Sequence, residues 1–484
     1  MSSMNRREFL QGSMMAAAAA SLPSPLLANT RRAGPNDVLR IAVCGVKGRG
    51  LAHVGEWAAM KDVQVAAICD IDENQIHNAM STVEKKAGNK PVYYQDYRKL
   101  MEDKSIDAVS VATCNHTHTL ISITAVIAGK HVYVEKPLSH NIWEGRKLVE
   151  AARKYNRMVQ HGTQSRSGGG HRKAAAFLAE GKLGAIKVSR GLCYKRRGSI
   201  GKKPEGPIPK GVDFNLWLGP APERAFNPNT FHYNWHWRWD TGNGDIGNQG
   251  VHEIDKARWY LGKNTLPLKV TCIGGRFGYE DDGETPNTQI AMFDYGDSQL
   301  MFEVRGLETD KYVPAGLEPD KAKSAGEGIG NVVHCKDGFI AGSNAYDLKG
   351  NRIQMDVKDD GRATNHFRNF IEAIKTGKHE TLNADVLDGH LSAALCHLAN
   401  ISYRLGEQRP ITKDDPFTVE EGNEAFNRTR KHLTENGVDL SKTQLTVGRT
   451  LSFDPKNEKF VGDPEADKLL TREYRKPFVV PENP

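Results

Sequence analysis

The first third of the chain alternates short apolar runs with stretches of helical periodicity. The apolar runs have the length and β-branched content of buried strands, and they occupy residues 38–44, 63–69, 106–113 and 131–134. Stretches 51–60 and 120–129 carry apolar residues at helical spacing between those runs. This alternation predicts a doubly wound α/β domain with a parallel sheet between two layers of helices.

Residues 161–360 follow a different pattern, in which short β-rich runs are separated by turns. Runs at 268–272, 289–293 and 299–304 are examples. Closely spaced strands without intervening helices predict a largely antiparallel sheet, and therefore a second domain. Two helices are predicted after it, at 364–376 and 387–405.

The chain opens with an arginine pair in Asn5-Arg6-Arg7-Glu8-Phe9-Leu10, followed by an apolar stretch rich in Met and Ala. A paired arginine before a weakly hydrophobic region is typical of a twin-arginine export signal. A basic start followed by an alanine helix is the alternative. Residues 24–28 do not form a clean Ala-x-Ala site, so cleavage and retention as an anchor both stay open. We predict a protein that is periplasmic or otherwise exported by the twin-arginine pathway, which carries folded proteins.

Composition narrows the class of protein. Of 484 residues, 38% are hydrophobic and 26% charged, as in ordinary soluble domains. The net charge of +7 is spread over the chain without a long basic block, so we expect no nucleic-acid partner. No apolar run approaches the ~20 residues of a spanning helix, so we expect no integral membrane span. The seven cysteines form no CxxC pair, and acidic pairs lack metal-ligand spacing with histidine, so we predict no catalytic metal.

The turn after the first predicted strand is rich in glycine, and an acid ends the second strand. Gly45, Gly48 and Gly50 lie between strand and helix, and Asp70 follows Gly50 by twenty residues. Such glycines let the backbone approach a pyrophosphate, which the N–H groups of the helix N-terminus can bind. A carboxylate at Asp70 can accept hydrogen bonds from two ribose hydroxyls and repels a 2′-phosphate, so NAD is favoured over NADP. Strict GxGxxG spacing would put glycine at Lys47, so either Gly48 takes part of that role or Lys47 projects toward a phosphate.

Polar residues also follow the third and fourth predicted strands. Thr113, Asn115 and His118 follow the third, and Glu135-Lys136-Pro137 ends the fourth. Folds of this kind bind ligands at the carboxyl ends of their parallel strands. His116 lies in the same cluster, and both helix capping and a cofactor contact are open for it.

With Glu135-Lys136-Pro137, the chain resembles the Gfo/Idh/MocA family of oxidoreductases. The resemblance runs from about residue 38 to 406 and rests also on the glycine turn with Arg49, on Asp70, on 113–118 and on 242–255. It implies a nicotinamide-binding Rossmann domain and a second α/β domain with a large open sheet. Most members oxidise or reduce sugars, cyclitols or related alcohols. The cofactor contacts predicted on this basis are Gly45, Gly48, Arg49, Gly50, Asp70, Thr113, Asn115, His118, Glu135 and Lys136.

The resemblance identifies Lys136 as the lysine that touches the reacting hydroxyl and His252 as the family's catalytic histidine. Hydride transfer from a secondary alcohol needs a base for the hydroxyl proton and a cation for the developing alkoxide. Imidazole suits the first role and lysine the second, although a core or capping histidine is the alternative for His252. The family often has aspartate where this chain has Asn248, which can orient a group but cannot ionise. Whether nearby Asp245 enters the site is open.

The predicted substrate contacts come from three stretches of the second region. Trp235, Trp237 and Trp239 alternate, so in a strand they would share one face for a sugar, or else for a core or subunit interface. Residues 164–166 follow a strand at the domain junction, where they reach the substrate or form a solvated loop. The predicted contacts are Gln164, Arg166, Trp237, Asn248 and His252. The basic loop 194–209 is a lid, a site for anionic sugars such as uronates, or simply a solvated face, and we leave it out of the predicted site.

These observations predict four segments: a twin-arginine signal peptide at 1–34, an NAD-binding Rossmann domain at 35–160, a substrate and oligomerisation domain at 161–410, and a C-terminal extension at 411–484. The leading hypothesis is an exported NAD-dependent oxidoreductase of sugars, glycosides or cyclitols, with homo-oligomers expected from the resemblance. Because the periplasm lacks free nicotinamide cofactor, we expect NAD to be tightly held and re-oxidised in place by a second substrate. A redox glycosidase, which oxidises a sugar transiently to permit elimination, is the second hypothesis. Relatives of that type often carry a Tyr-Pro-Thr-His type segment where this chain has Gly-Asn-Gln-Gly before Val251 and His252, which disfavours this hypothesis. A non-catalytic sugar-binding protein is the third.

Overall fold

A computed structural model describes residues 38–358, 360–411 and 416–484. The predicted export signal lies outside the described residues. Within them, none of the helices combines the length and apolar character needed to cross a membrane.

The first domain is built on a six-stranded parallel sheet in the order β3-β2-β1-β4-β5-β6. Its strands are β1 (Leu39–Cys44), β2 (Val63–Cys69), β3 (Val92–Tyr94), β4 (Ala108–Val111), β5 (His131–Val134) and β6 (Val159–His161). This is the strand order of a Rossmann domain, so the predicted fold class is confirmed. Because the order reverses between β1 and β4, the carboxyl ends of these two strands border a crevice that can receive a ligand.

Five helices cover the two faces of this sheet. They are α1 (Arg49–Ala58), α2 (Ile76–Ala87), α3 (Tyr97–Glu102), α4 (Asn115–Ile127) and α5 (Ile142–Lys154). Helix α4 begins five residues before the predicted start at 120, so His116 and His118 lie in its first turn rather than in a loop. The apolar periodicity missed this turn because its side chains are polar yet buried.

The second domain contains a large mixed sheet of twelve strands, as predicted mostly antiparallel, with β7 and β10 as its parallel pair. Ten strands follow the path β14-β13-β12-β11-β7-β10-β9-β8-β16-β15, and β17 and β18 join at β8. The strands are β7 (Ile186–Tyr194), β8 (Lys269–Gly275), β9 (Thr288–Asp294), β10 (Gln299–Arg305), β11 (Ile329–Cys335), β12 (Gly338–Ala341), β13 (Asn344–Asp347), β14 (Arg352–Ile353), β15 (Glu407–Pro410), β16 (Gln444–Val447), β17 (Leu451–Asp454) and β18 (Lys459–Phe460).

Helices pack against both faces of the large sheet because its strands alternate. In β10, Leu300 and Phe302 join the core beneath the helices α9 and α12, whereas Met301 joins the core beneath α13. The helices of this part of the chain are α6 (Gly169–Ala179), α7 (Phe214–Leu218), α8 (Gly244–Asn248), α9 (Gly250–Tyr260), α10 (Pro319–Ala325), α11 (His366–Thr376), α12 (Val386–Arg404), α13 (Glu420–Glu435) and α14 (Pro464–Lys468).

The last segment of the chain contributes to both domains. Strands β16 and β17 pair with β8 in the large sheet. Beyond them, Phe478 and Val480 join the apolar core of the first domain, where each is 2% exposed. The guanidinium groups of Arg98 and Arg475 lie 5.4 and 4.8 Å from the centre of the Phe478 ring. The domain boundaries, including the one at residue 410, stay a prediction.

We expect Phe478→Ala to lower the free energy of unfolding by about 3 kcal/mol or more, because it removes a buried ring and leaves a cavity in the first domain. Val479→Ala is the matched control, since Val479 is 42% exposed and its truncation removes little buried surface. Chemical denaturation of both variants measures the effect. Equal stability of the two would contradict the packing described for the tail.

Candidate active site

A cleft of about 630 Å³ opens at the crevice of the first domain and extends to the second. At one end it is lined by the glycine turn, Asp70 and Thr113. At the other end it is lined by Lys136, Asn248 and His252. The two sets of residues predicted for a cofactor and for catalysis therefore share one cavity.

The glycines of the turn are required by close backbone approaches. Gly45 has a φ of 78°, and a Cβ there would lie 2.8 Å from the carbonyl oxygen of Ala112 on the neighbouring strand. A Cβ on Gly50 would collide with the carbonyl oxygen of Gly45. Gly48 caps α1 with a φ of 67° and has nothing within 4 Å of an added Cβ. Gly45 and Gly48 line the cleft at the start of α1, so the turn leaves open space at a helix N-terminus, where a pyrophosphate can bind.

Asp70 ends β2 and lines the same cleft. Its carboxylate accepts hydrogen bonds from the backbone N–H groups of Val46 at 2.8 Å and Asp72 at 3.0 Å. Burial raises the pKa of Asp70 to about 6, so the group is ionised at neutral pH. An oriented carboxylate at this strand end suits a pair of ribose hydroxyls.

Glu135 is a buried carboxylate on which several parts of the cleft converge. Its Oε1 accepts hydrogen bonds from Arg49 Nε at 2.8 Å, His53 Nε2 at 3.0 Å and Gln164 Nε2 at 2.9 Å. Burial alone would raise the pKa of Glu135, but the His53 and Arg49 contacts more than offset this and hold the pKa well below its usual range. A Cβ at Gly162 would lie 2.9 Å from the carboxyl group, so only glycine leaves room for it.

Lys136 reaches across the domain junction. Its Nζ donates hydrogen bonds to the backbone oxygen of Asn248 at 2.7 Å and to Asn248 Oδ1 at 3.2 Å. Burial lowers the pKa of Lys136, and the charges of Glu135 and Asp245 oppose that shift. Asn248 therefore orients the ammonium group, which is a role that needs no ionisation.

His252 lies in the first turn of α9 and lines the cleft beside Lys136. Within the described part of the chain, its imidazole makes no hydrogen bond. Burial and the charge of Lys136 lower the pKa of His252 to about 3, so the ring is neutral at ordinary pH. A neutral, unengaged imidazole can accept a proton from a bound hydroxyl.

Asp245 is close to the site but its carboxylate is already engaged. Both carboxylate oxygens accept hydrogen bonds from Arg197, from Nε at 2.9 Å and Nη2 at 2.8 Å. Arg197 itself lines the cleft and packs over Trp237 at 5.2 Å from the ring centre. Asp245 thus acts on the cleft through Arg197 and does not stand in for an aspartate at Asn248.

Two predicted substrate contacts lie away from the cleft lining. Arg166 is 6% exposed and pairs with Asp255 at 2.8 Å, so its guanidinium is held inside the second domain. Trp237 lies behind Arg197, and Asn234–Trp237 form a short 3-10 helix instead of the strand that the alternating tryptophans suggested. A local hydrogen bond from Trp235 N to Thr230 O, at 2.9 Å, closes this segment on itself. Trp235, not Trp237, lines the cleft.

The remaining predicted contacts are placed as follows. Arg49, Asn115, His118, Glu135 and Gln164 line the cleft, whereas Gly50 lies beneath the turn. His116 is fully buried, and its ring nitrogens lie 2.8 and 3.2 Å from the backbone oxygens of Trp217 and Thr241. These contacts make His116 part of the domain packing. The described residues contain no group of three or more His, Cys, Asp or Glu side chains placed to hold a metal ion.

Lys195 and Arg197 line the cleft, although the basic loop after β7 to which they belong was not part of the predicted site. Tyr233 joins them there, with its hydroxyl 3.4 Å from both Arg197 Nη1 and Asn248 Nδ2. The signal that could have identified the two basic residues is their place directly after β7, a central strand whose end faces the Rossmann domain.

The fold and the cleft define a two-domain dinucleotide-binding protein of the oxidoreductase class. Residues 39–163 match the family described as "Oxidoreductase family, NAD-binding Rossmann fold", and residues 186–306 and 417–480 match its "C-terminal alpha/beta domain". The chain therefore belongs to the Gfo/Idh/MocA oxidoreductase family.

Relatives of this chain differ in the activities that their names state. It is 31% identical over 137 residues to Glycosyl hydrolase family 109 protein 1 of Akkermansia muciniphila. This match covers 27% of this chain and 28% of that protein. It is 28% identical over 234 residues to Inositol 2-dehydrogenase of Salmonella typhimurium, and this match covers 48% of this chain and 57% of that protein. The chain thus matches less than two thirds of the length of these relatives. The WlbA dehydrogenase of Bordetella pertussis, solved with NADH and UDP-GlcNAcA, shares the fold with a TM-score of 0.54 at 18% identity, over 76% of this chain and 96% of that one.

We expect Gly50→Ala to disrupt the glycine turn and weaken NAD binding by at least about tenfold, because the added Cβ collides with backbone that cannot move freely. Gly55→Ala, in the same helix, is the matched control. An added Cβ there meets only the flexible Lys86 side chain, at 3.4 Å. Alanine also stabilises a helix by about 1 kcal/mol relative to glycine. Isothermal titration with NAD compares the two variants, and unimpaired binding by Gly50→Ala would refute the role assigned to the turn.

Proposed function

We propose that the protein is an exported, NAD-dependent oxidoreductase that transfers hydride between a hydroxyl of a sugar, glycoside or cyclitol and a tightly held NAD. The observation that carries this proposal is the position of Lys136 and His252 in the same cleft as the glycine turn. A cation and a neutral base at one end of a dinucleotide cleft suit the oxidation of an alcohol.

The residues present fit a dinucleotide. Gly48 leaves open space at the start of α1, and Asp70 offers an ionised carboxylate at the strand end where a ribose belongs. Arg49, Thr113 and Glu135 would complete the cofactor site. When bound, NAD supplies a nicotinamide ring that accepts or returns a hydride.

The chain's own groups handle the proton and the charge of the alcohol. His252 is placed to accept the hydroxyl proton, because its imidazole is neutral and makes no hydrogen bond to other described residues. The negative charge that develops on the bound hydroxyl raises the low pKa of His252 as the proton is transferred. Lys136 stabilises the developing alkoxide with its ammonium group, which Asn248 holds in place through two hydrogen bonds. In the reverse direction protonated His252 returns the proton to the carbonyl oxygen, and the Lys136 ammonium group stabilises the negative charge that develops on that oxygen.

A segment of the second domain, residues 211–232, covers the part of the cleft that would hold the cofactor, and we call it the cover. Its position supports retention of the cofactor. Trp217, Gly219 and His232 line the cleft together with Asp70. The cover is tied to the Rossmann domain by His232 Nε2, 2.9 Å from Asp72 Oδ2, and by a hydrogen bond from Glu73 N to Gly211 O at 3.1 Å. A dinucleotide enclosed between two docked surfaces dissociates slowly, which suits a compartment without free NAD.

A redox glycosidase is the second candidate, and the similarity to glycosyl hydrolase family 109 proteins favours it. The same cleft serves both reactions, since a glycosidase of this kind begins by oxidising a sugar hydroxyl. The two differ in their products, because elimination releases the aglycone and the hydride then returns. A non-catalytic sugar-binding protein is the third candidate.

Mass spectrometry of the small molecules released on denaturing the exported protein tests the cofactor, with about one NAD(H) per chain expected. Substrates are then offered without added nucleotide. Lys136→Met should retain the bound NAD(H) but lose at least about 100-fold in turnover, because the alkoxide loses its cation. Ketone formation supports the oxidoreductase, and free aglycone without net redox change supports the glycosidase. A protein that arrives empty and fails to bind added NAD contradicts both, as does full activity of Lys136→Met.

The preference for NAD over NADP rests on the charge of Asp70. We expect Asp70→Ser to weaken NAD binding by about tenfold, the value of a charge-assisted hydrogen bond, and to improve NADP binding by removing the repulsion of its 2′-phosphate. Glu56→Gln removes the same charge from an exposed position on α1 and should change neither affinity. Titration with both nucleotides checks this, and an unchanged NAD/NADP ratio in Asp70→Ser would overturn the assignment.

A further inference from the structure

The substrate end of the cleft contains a lysine for which the described residues provide no acidic partner. Lys195 lines the cleft, and its Nζ donates a hydrogen bond to Gln249 Oε1 at 2.8 Å. Gln249 is neutral, and Lys195 forms no ion pair with any carboxylate of the described residues. Its charge is therefore not neutralised by the protein around it.

Asp245 and Glu253, two acids whose charges act on the neighbouring Lys136, have other direct partners. Both oxygens of Asp245 bind Arg197. Glu253 lies 3.7 Å from Lys256, and burial raises the pKa of Glu253 to about 7, so it carries only part of a charge at neutral pH. Glu253 also accepts weak hydrogen bonds from Gln249 at 3.4 and 3.5 Å, but neither carboxylate forms a direct ion pair with Lys195.

Lys136 adds a second ammonium group to the same end of the cleft, and the charge of Lys195 contributes to lowering the Lys136 pKa. Among the residues that the structure describes, Lys136 Nζ has direct hydrogen bonds only to Asn248, through its neutral side chain and its backbone. Two lysines thus line a partly desolvated cavity, and neither side chain is directly paired with a carboxylate of the described residues. Holding such charges apart from counter-ions is unfavourable, and a bound anion relieves it.

We propose that the substrate is a sugar acid whose carboxylate pairs with Lys195 while the reacting hydroxyl lies at Lys136. This inference rests on the proposed function for the hydroxyl, and on the charge of the cleft for the carboxylate. A monoanionic group matches the single surplus cation that remains once Lys136 is assigned to the alkoxide. A phosphate dianion would need a second free cation, and Arg197 is already bound to Asp245.

The test compares sugars that differ only at C6, in three pairs: glucuronate with glucose, galacturonate with galactose, and mannuronate with mannose. Binding to the NAD-loaded protein is measured by isothermal titration, and turnover is measured in parallel. For at least one pair, we expect the acid to bind about 10- to 100-fold more tightly than its neutral partner, the value of a charge-assisted hydrogen bond. Lys195→Gln should abolish that preference and leave affinity for the neutral sugar within about threefold.

Lys202→Gln is the matched control, because Lys202 lies on the same loop but is exposed and pairs with Glu280 at 3.4 Å. It should keep the preference. The inference is overturned if the unaltered protein favours no acid over its neutral partner, or if Lys195→Gln retains the preference. Turnover separates the two proposals. Oxidation of neutral sugars alone leaves the proposed function standing without this inference, whereas Lys195-dependent binding without hydride transfer leaves the carboxylate site standing without the proposed function.

Discussion

The carboxylate of Glu135 is the interaction on which the cleft depends. It is buried at the end of β5 and binds Arg49 from the glycine turn, His53 from α1 and Gln164 from the segment after β6. A buried charge is tolerated only when such contacts compensate for its lost hydration. Because the next residue is Lys136, the contacts that hold Glu135 also fix where the lysine enters the cavity.

Burial lowers the pKa of both titratable groups at the substrate end of the cleft. It keeps the His252 imidazole neutral at ordinary pH, and Lys136, whose pKa it also lowers, pairs directly with no carboxylate of the described residues. Members of the family often have an aspartate at the position of Asn248. Because the amide of Asn248 carries no charge, the cavity of this chain is more positive than it would be with an aspartate there. The charge of the site is thus set by which acids are absent from it as much as by which bases are present.

Much of the first domain follows from local sequence, and β2 and β5 have the predicted bounds. The periodicity of the apolar residues and the spacing of the glycines are local signals. The Rossmann fold of the first domain and the positions of Gly45, Asp70 and Lys136 at its strand ends were therefore predictable. Contacts set by tertiary packing were not. Arg166 could not be assigned to Asp255 across 89 residues, and Lys195 looked like part of a solvated loop until the domains were placed together.

The path of the chain also sets an order in which the molecule can be completed. The core of the first domain includes Phe478 and Val480, which are synthesised more than 300 residues after the last strand of its sheet. During translation that core lacks these two side chains until the segment after β18 has been made, so the first domain is completed only after the large sheet of the second domain has been synthesised. A nascent chain that stops before this segment therefore has a first domain with an incomplete core.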